Sequence, residues 1–255
     1  MRIGINLYSK WPFAEVIEAF QENNIDRTFV CIEHPQFEEV MKALEKTDIV
    51  VENFHAPFKS HNDIWYEGKA GDEVLQRLCN GIDCCVKYGV KLMVGHVSNS
   101  RPMPPISEIG LKRFDNFMEY AKEKGITVAF ESHRYLENVK FMMDRYPEAG
   151  FCYDNCHEYA FTPGVKYMPE WGERLVATHI SDNEQVCDKD MHMLPFDGNI
   201  NFSEVAEEIA KCGRDVTLMF EVKPDNHEKY ANVSINEYYK EATKRLKRLE
   251  EMVNS

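Results

Sequence analysis

The chain has 255 residues, a length that fits one large α/β domain or two smaller domains. It is 44% hydrophobic and 29% charged, which is typical of a globular protein with a sizeable core and unlike a disordered chain. The 43 acidic residues outnumber the 30 basic residues, so the net charge is −13. Such a charge repels phosphate backbones and anionic lipid surfaces, and it argues against nucleic acid as a ligand.

The amino terminus and the cysteines favour a cytoplasmic protein. Residues 1–8 form too short an apolar run for a signal peptide, and no stretch reaches the about 18 apolar residues of a membrane span. The 8 cysteines are scattered without a C-x-x-C pair. We therefore expect reduced thiols in the core of a protein that does not bind membranes. Whether identical chains form an oligomer stays open at this point.

Short apolar runs of strand length alternate with longer helical segments along the whole chain. This alternation is typical of a parallel sheet with crossover helices, and continuous Val, Ile, Phe and Met runs are typical of strands buried on both faces. Eight strands are predicted, at residues 2–8, 27–32, 49–54, 91–97, 127–131, 150–154, 175–181 and 217–222.

Helical segments lie between these strands. In the clearest one, Leu75, Leu78 and Ile82 recur at steps of three and four residues, which places them on one face of a helix. The last helix is predicted to begin at a capping box formed by Ser234 and Glu237. Eight strand–helix units without a linker predict a single (β/α)8 TIM barrel over residues 1–255. A doubly wound open sheet is the alternative.

Side chains that can bind metals follow the carboxyl ends of the predicted strands, where the reacting groups of a (β/α)8 barrel lie. In chain order they are His55, His96, Glu131, Asp154, His157, His179, Asp182, Asp190, His192 and Glu221. Taken singly, such a histidine is more often a hydrogen-bonded core residue, and such a carboxylate more often caps a helix. Their convergence favours a divalent cation, because buried carboxylates are costly unless they are paired or metal-bound. Carboxylate and imidazole ligands without thiolate suit Mn²⁺, Mg²⁺, Co²⁺, Fe²⁺ or Zn²⁺.

Three motifs resemble those of the xylose-isomerase-like TIM barrels, which include sugar phosphate isomerases and epimerases. They are the D-x-x-H pattern from Asp154 to His157, the segment 179–183 (HISDN) and the segment 190–200. The last is similar to the family's His-x-x-Pro-Gly-x-Gly loop, with Phe196 and Asn199 where glycine is usual. The resemblance covers nearly the whole chain. It implies an isomerase or epimerase that uses a divalent metal (Mn²⁺, Mg²⁺, Co²⁺ or Zn²⁺) and acts on a small sugar, keto-sugar or sugar phosphate through an enediolate.

The resemblance also implies a role for each site residue. The family's metal ligands fall on Glu131, Asp154, His179 and Glu221, and its catalytic acid and base fall on Glu131 and Glu221. A metal that stabilises an enediolate and a positioned carboxylate base are consistent with this chemistry. His157 would contact a substrate oxygen. The remaining residues would bind or orient the carbohydrate: His55, His96, Asp182, Asp190 and His192.

Three other functions stay open. A distant branch of the family, the zinc-dependent abasic-site endonucleases, holds two further zinc ions with the residue types found at His55, His96, Asp190 and His192, and all nine of its ligand types occur here in order. The acidic charge and the lack of a Lys/Arg cluster in the predicted barrel-top loops argue against it. Dehydration of a keto-inositol is a neighbouring chemistry. A metal-binding barrel without catalysis is the third alternative.

A group of basic side chains just past the strand ends is a candidate for binding a phosphate or carboxylate of the substrate. Exposed charged side chains in loops are more often simply solvated. We therefore expect the group as a whole to provide an anion-binding residue, without assigning that role to any one member. The members are Lys59, His61, Arg134, Lys223 and His227.

Overall fold

The computed structural model describes residues 1–99 and 101–255, and within them eight parallel strands form a ring. The strands are β1 (Arg2–Ile5), β2 (Arg27–Cys31), β3 (Val50–His55), β4 (Leu92–Gly95), β5 (Thr127–Glu131), β6 (Gly150–Asp154), β7 (Leu175–His179) and β8 (Thr217–Phe220). Strands β2 to β7 pair in chain order, and β1 pairs with β8. A bridge between Ile180 and Phe220 joins β7 to β8, and the Leu7 N–H donates to the Phe29 carbonyl at 3.3 Å between β1 and β2. The predicted TIM barrel is confirmed.

Helices follow most of the strands and cover the outside of the barrel. They are α1 (Phe13–Glu22), α2 (Phe37–Leu44), α3 (Lys69–Tyr88), α4 (Glu108–Glu123), α5 (Leu136–Arg145), α6 (Asn155–Phe161), α7 (Met168–Trp171), α8 (Phe202–Cys212) and α9 (Ile235–Val253). Their apolar stripes pack against the strands to form the main core. The capping box of Ser234 and Glu237 is present at the start of α9, as predicted. Within the described residues, no helix combines the length and apolarity needed to cross a membrane.

A small apolar cluster lies on the same strand face as the functional side chains. Its buried members come from four neighbouring strands: Val94, Ala129, Cys152 and Ala177. Because side chains alternate between the two faces of a strand, residues two positions further along share the face of this cluster. Those residues are His96, Glu131, Asp154 and His179. The strand period therefore places four candidate ligands in one layer above the cluster.

Two asparagine side chains tie neighbouring strand ends together beyond the regular ladder. The Asn6 amide donates to the Val222 carbonyl at 3.1 Å and accepts from the Val222 N–H at 2.9 Å. Asn155 makes the same reciprocal pair with Ser181, at 2.9 and 3.0 Å. Several strands end earlier than predicted, at Ile5, His179 and Phe220 for example, and these side-chain bonds add to the isolated backbone contacts just beyond those ends.

All eight cysteines are free, as expected for reduced thiols. Their predicted place in the core is confirmed for Cys85, Cys152 and Cys156, which are buried. It is wrong for Cys187, which is exposed in the long segment after β7.

The Asn6 pair generates a stability prediction. Replacing Asn6 with Leu leaves the N–H and C=O of Val222 without partners in a buried place, so we expect a loss of about 2 to 4 kcal/mol in the free energy of unfolding. Urea unfolding of the metal-free protein measures it. Asn80→Leu on the exposed face of α3 is the control, with an expected change within about 0.5 kcal/mol. Equal effects of the two substitutions would contradict the role of Asn6.

Candidate metal centre

The carboxylate of Glu131 at the end of β5 lies at the centre of the candidate site. Only 1% of this side chain is exposed. Its Oε2 atom lies 3.3 Å from His55 Nε2, 3.2 Å from His96 Nε2 and 3.4 Å from His179 Nδ1. These histidines come from the ends of β3, β4 and β7, so the closed barrel brings together residues that are far apart in the sequence.

Nine of the ten predicted site residues fall into three groups whose potential ligand atoms lie within 4.8 Å of one another. The first is His55, His96 and Glu131; the second is Glu131, Asp154, His179 and Glu221; the third is His157, Asp190 and His192. Ligand atoms about 2.1 Å from one tetrahedral cation lie roughly 3.4 Å apart. The 3.2 to 3.4 Å separations around Glu131 match that spacing.

Buried polar atoms without partners show that the second group fits a cation. Asp154 caps α6 with Oδ1, which accepts from the His157 N–H at 2.9 Å, whereas Oδ2 has no hydrogen-bond partner among the described residues. Both ring nitrogens of His179 likewise lack one in the described part of the chain. A buried polar atom without a hydrogen-bond partner destabilises the folded protein unless a ligand, a water molecule or an ion binds to it. A divalent cation bound by Glu131, Asp154, His179 and Glu221 would satisfy them.

Backbone carbonyls orient three of the imidazoles. The Nδ1 atoms of His55, His157 and His192 lie 2.9, 2.7 and 3.1 Å from the carbonyl oxygens of Ala56, Ser132 and Glu221. A proton on Nδ1 satisfies each carbonyl and leaves the lone pair on Nε2, which is the arrangement of metal-binding histidines. The Nε2 atom of His55 then faces the Glu131 carboxylate. The Nε2 atoms of His157 and His192 face Asp190 Oδ2, at 3.4 and 2.6 Å.

The acidic and imidazole groups of the site shift each other's pKa values strongly. Burial raises the pKa of Glu131 and Glu221, but neighbouring groups more than offset this: His179 and His96 for Glu131, and His192, Lys223 and His179 for Glu221. Both pKa values lie well below the ordinary value. Burial lowers the pKa of His157, yet Asp154 and Asp190 outweigh it and raise that pKa to about 10. The pKa of His179 is also raised, and burial raises the pKa of Asp154 to about 7.

A thiol lies beneath the centre. Cys152 forms a fourth cluster with Glu131 and His179, but burial raises its pKa to about 12. The thiol stays protonated at neutral pH, and only the thiolate is a good metal ligand. We therefore assign the site to carboxylate and imidazole ligands.

Asp182 lies outside the three ligand groups, and backbone N–H groups of the loop after β7 occupy its carboxylate. Its expected role as a substrate contact stays a prediction. Its carboxylate accepts the backbone N–H groups of Asn183, Gly198 and Ile200 at 2.7, 2.8 and 3.1 Å. Its own backbone pairs with Met193 in an antiparallel bridge. Asp182 thus anchors the long segment that carries Asp190 and His192. A side chain at position 198 would meet this carboxylate, since a Cβ there would lie 2.5 Å from Oδ1. In the same loop Phe196, which stands where glycine is usual, has a φ of +71°.

A cavity of about 160 Å³ opens over the ligand groups. Besides ligands it is lined by Phe58, Asn99, His133, Arg134, Phe161 and Lys223. Of the basic side chains predicted to bind an anionic group, Arg134 and Lys223 reach it; Lys59, His61 and His227 are not among the lining residues. Sequence reasoning missed His133, although it lies on the segment after β5, two residues beyond Glu131. That spacing is the one signal that could have indicated it.

Comparison with known proteins places the chain in a family. Residues 14–249 match the family described as Xylose isomerase-like TIM barrel. The chain belongs to this family. It is 30% identical over 214 residues to the uncharacterized protein y4fM of Sinorhizobium fredii (strain NBRC 101917 / NGR234), and the match covers 78% of this chain and 65% of that relative, slightly less than two thirds of its length.

Solved structures share the fold of the family at low sequence identity. The IolI protein with a bound zinc atom has a TM-score of 0.78 at 15% identity, covering 100% of this chain and 98% of that chain. A D-tagatose 3-epimerase-like protein has a TM-score of 0.76 at 19% identity, with the same coverage of both chains. These similarities establish the fold and leave the substrate to be proposed.

The pKa shifts generate a prediction about metal binding by this family member. Because His179 holds a proton at neutral pH and Asp154 does so below about pH 7, a cation must displace these protons, so metal affinity should rise as pH rises. Calorimetric titration of Zn²⁺ at pH 6.5 in buffers of different ionisation enthalpy should reveal release of about one or more protons per bound ion. A binding heat that is the same in every buffer would contradict this.

Proposed function

We propose that the protein is a divalent-metal-dependent isomerase or epimerase of a small keto-sugar or related polyol. The observation that carries the proposal is the second ligand group. Its two glutamates, from β5 and from the segment after β8, have ligand atoms within 4.8 Å of one another, and both line the cavity. The cation would supply Lewis-acid polarisation of a substrate carbonyl. The printed names of the fold neighbours, which include a D-tagatose 3-epimerase-like protein and a zinc-bound IolI protein, support the same class.

Glu131 and Glu221 would transfer the protons. Their low pKa values keep both carboxylates ionised at neutral pH, the state that a base requires. One carboxylate would remove a proton from the carbon next to the carbonyl and keep it as the carboxylic acid. The other would take up a proton from solvent and deliver it to the opposite side of that carbon, and proton exchange with solvent would then restore both ionised carboxylates. The Nδ1 atom of His179 lies 3.2 Å from Glu221 Oε2 and 3.4 Å from Glu131 Oε2, so this imidazole contacts both carboxylates. The small cavity favours a substrate of few carbon atoms, because typical ligand pockets measure about 300 to 1,000 Å³.

Solvent deuterium provides the test. We expect metal-loaded protein in D₂O to exchange one C–H of a member of a panel of ketoses, sugar phosphates and inososes, read by NMR. Glu221→Gln should slow the exchange about 100-fold or more, with metal content measured in parallel. Glu228→Gln, an exposed glutamate in the segment after β8, is the matched control. A folded, metal-loaded Glu221→Gln protein with undiminished exchange would contradict the role of Glu221, and the absence of exchange in every compound would contradict the proposed class.

Hydrolysis of a phosphate ester, as in the abasic-site endonuclease branch, is the second candidate. The first and third ligand groups favour it, because they provide positions for two further cations beside the second group. Glu131 belongs to both the first and the second group. If each group held a cation, both carboxylate oxygens of Glu131 would serve as ligands, and neither would be free to act as a base. Metal stoichiometry therefore separates the candidates, one ion per chain for proton transfer and about three for hydrolysis.

An abasic duplex oligonucleotide at low salt tests the second candidate. Given the net charge of −13, we expect no efficient incision by zinc-loaded protein. Efficient incision together with about three zinc ions per chain would establish hydrolysis in place of isomerisation.

A further inference from the structure

Two polar side chains in the cavity belong to none of the ligand groups and have no hydrogen-bond partner among residues 1–99 and 101–255. One is His133, on the segment after β5, and the other is Lys223, on the segment after β8. Because β5 and β8 lie on nearly opposite sides of the ring, the two residues approach the cavity from different directions.

Lys223 brings a positively charged ammonium group to the wall of the cavity. Its backbone N–H donates to the His192 carbonyl at 2.9 Å, which fixes the start of the side chain. The ammonium lies 3.7 Å from Glu221 Oε1, beyond hydrogen-bond distance, and 37% of the side chain is exposed. An ammonium has three N–H donors, and none of them meets an acceptor in the described part of the chain. They remain available to an oxygen atom of a ligand.

His133 presents an unpartnered imidazole from the other side. The side chain is 5% exposed, and its ring lies 4.6 Å from that of His96 and 4.9 Å from that of His157, measured between centroids. It thus stands between the first and third ligand groups. A buried imidazole nitrogen without a partner is unusual in native proteins and points to a ligand or a water that completes it.

Arg134 is less suited to this role, although it also lines the cavity. Its guanidinium stacks over Phe161 at 4.0 Å and pairs with Asp188 at 3.3 Å. Asp188 is also bound by Arg101 at 2.7 Å. The charge of Arg134 is therefore already matched, whereas Lys223 has only the longer contact with Glu221.

We propose that Lys223 and His133 form an oxyanion-binding pair, so that the substrate carries a phosphate or carboxylate group in addition to the oxygens near the metal ligands. Both residues line the same cavity of about 160 Å³. Lys223 selects for negative charge, and His133 donates a hydrogen bond to an oxygen. This inference rests on the proposed function, which defines the rest of the substrate as a small keto-sugar or polyol. Its test measures equilibrium binding and requires no catalytic turnover.

Equilibrium binding of three probes to zinc-loaded protein tests the pair: inorganic phosphate, malonate and the neutral polyol glycerol, each titrated by calorimetry at constant ionic strength. We expect Lys223→Met to weaken the binding of the preferred anion tenfold or more and to leave glycerol unaffected. Lys223→Arg should retain the affinity within threefold. His133→Phe, which keeps the ring but removes its nitrogens, should weaken anion binding about fivefold. Zinc content of every variant is measured by elemental analysis.

Lys59→Met is the matched control, because it removes one positive charge from an exposed side chain that does not line the cavity. It should leave anion affinity within twofold of the unsubstituted protein. Preference for phosphate or for malonate identifies the substrate's charged group. An unchanged affinity in Lys223→Met, an equal loss in Lys59→Met, or no binding of either anion would overturn the proposal. Deuterium exchange fails or succeeds independently of these outcomes, so the two proposals are separately testable.

Discussion

Burial of the Glu131 carboxylate constrains everything around it. A carboxylate that is 1% exposed at the end of a strand needs polar or charged partners, and the closed barrel brings the imidazoles of His55, His96 and His179 to within 3.2 to 3.4 Å of it. Of these histidines, His179 has a pKa raised well above its ordinary value by its acidic neighbours, so it supplies a positive charge. The Glu131 carboxylate oxygens are also suitable ligands for a divalent cation. Protons on the imidazoles and a bound metal are therefore alternative solutions to one electrostatic problem, which is why the pKa values of the site shift so strongly.

The surrounding structure fixes the geometry before any cation binds. Backbone carbonyls orient three imidazoles so that Nε2 faces the centre. The Asn6 and Asn155 amides hold the strand ends that lead into Glu221 and out of Asp154. The Asp182 carboxylate folds the segment that carries the third ligand group. Such rigid support lowers the cost of assembling a metal site from distant parts of the chain.

Much of this arrangement could be predicted from the sequence, because strand period and barrel closure determine which residues share a face. The ends of β5 and β6 agree with the predicted Glu131 and Asp154, and the ligand types were visible as strand-end residues. The division into three groups could not be predicted, since it depends on ring orientations set by backbone carbonyls. Asp182 has the residue type and position of a ligand, and only its contacts with backbone N–H groups reveal a structural role. The sequence indicates Lys223 only as one of five basic candidates and does not indicate His133, because what distinguishes both side chains is the lack of hydrogen-bond partners among the described residues.

Anomalous diffraction from crystals grown with Zn²⁺ tests the central claim most directly, because it locates each ion independently of any activity. We predict an anomalous peak about 2.1 Å from ligand atoms of Glu131, Asp154, His179 and Glu221 at the zinc absorption edge. Further peaks at the first and third groups would add support to the hydrolytic alternative. A zinc-saturated crystal with no peak among those four residues would contradict the account.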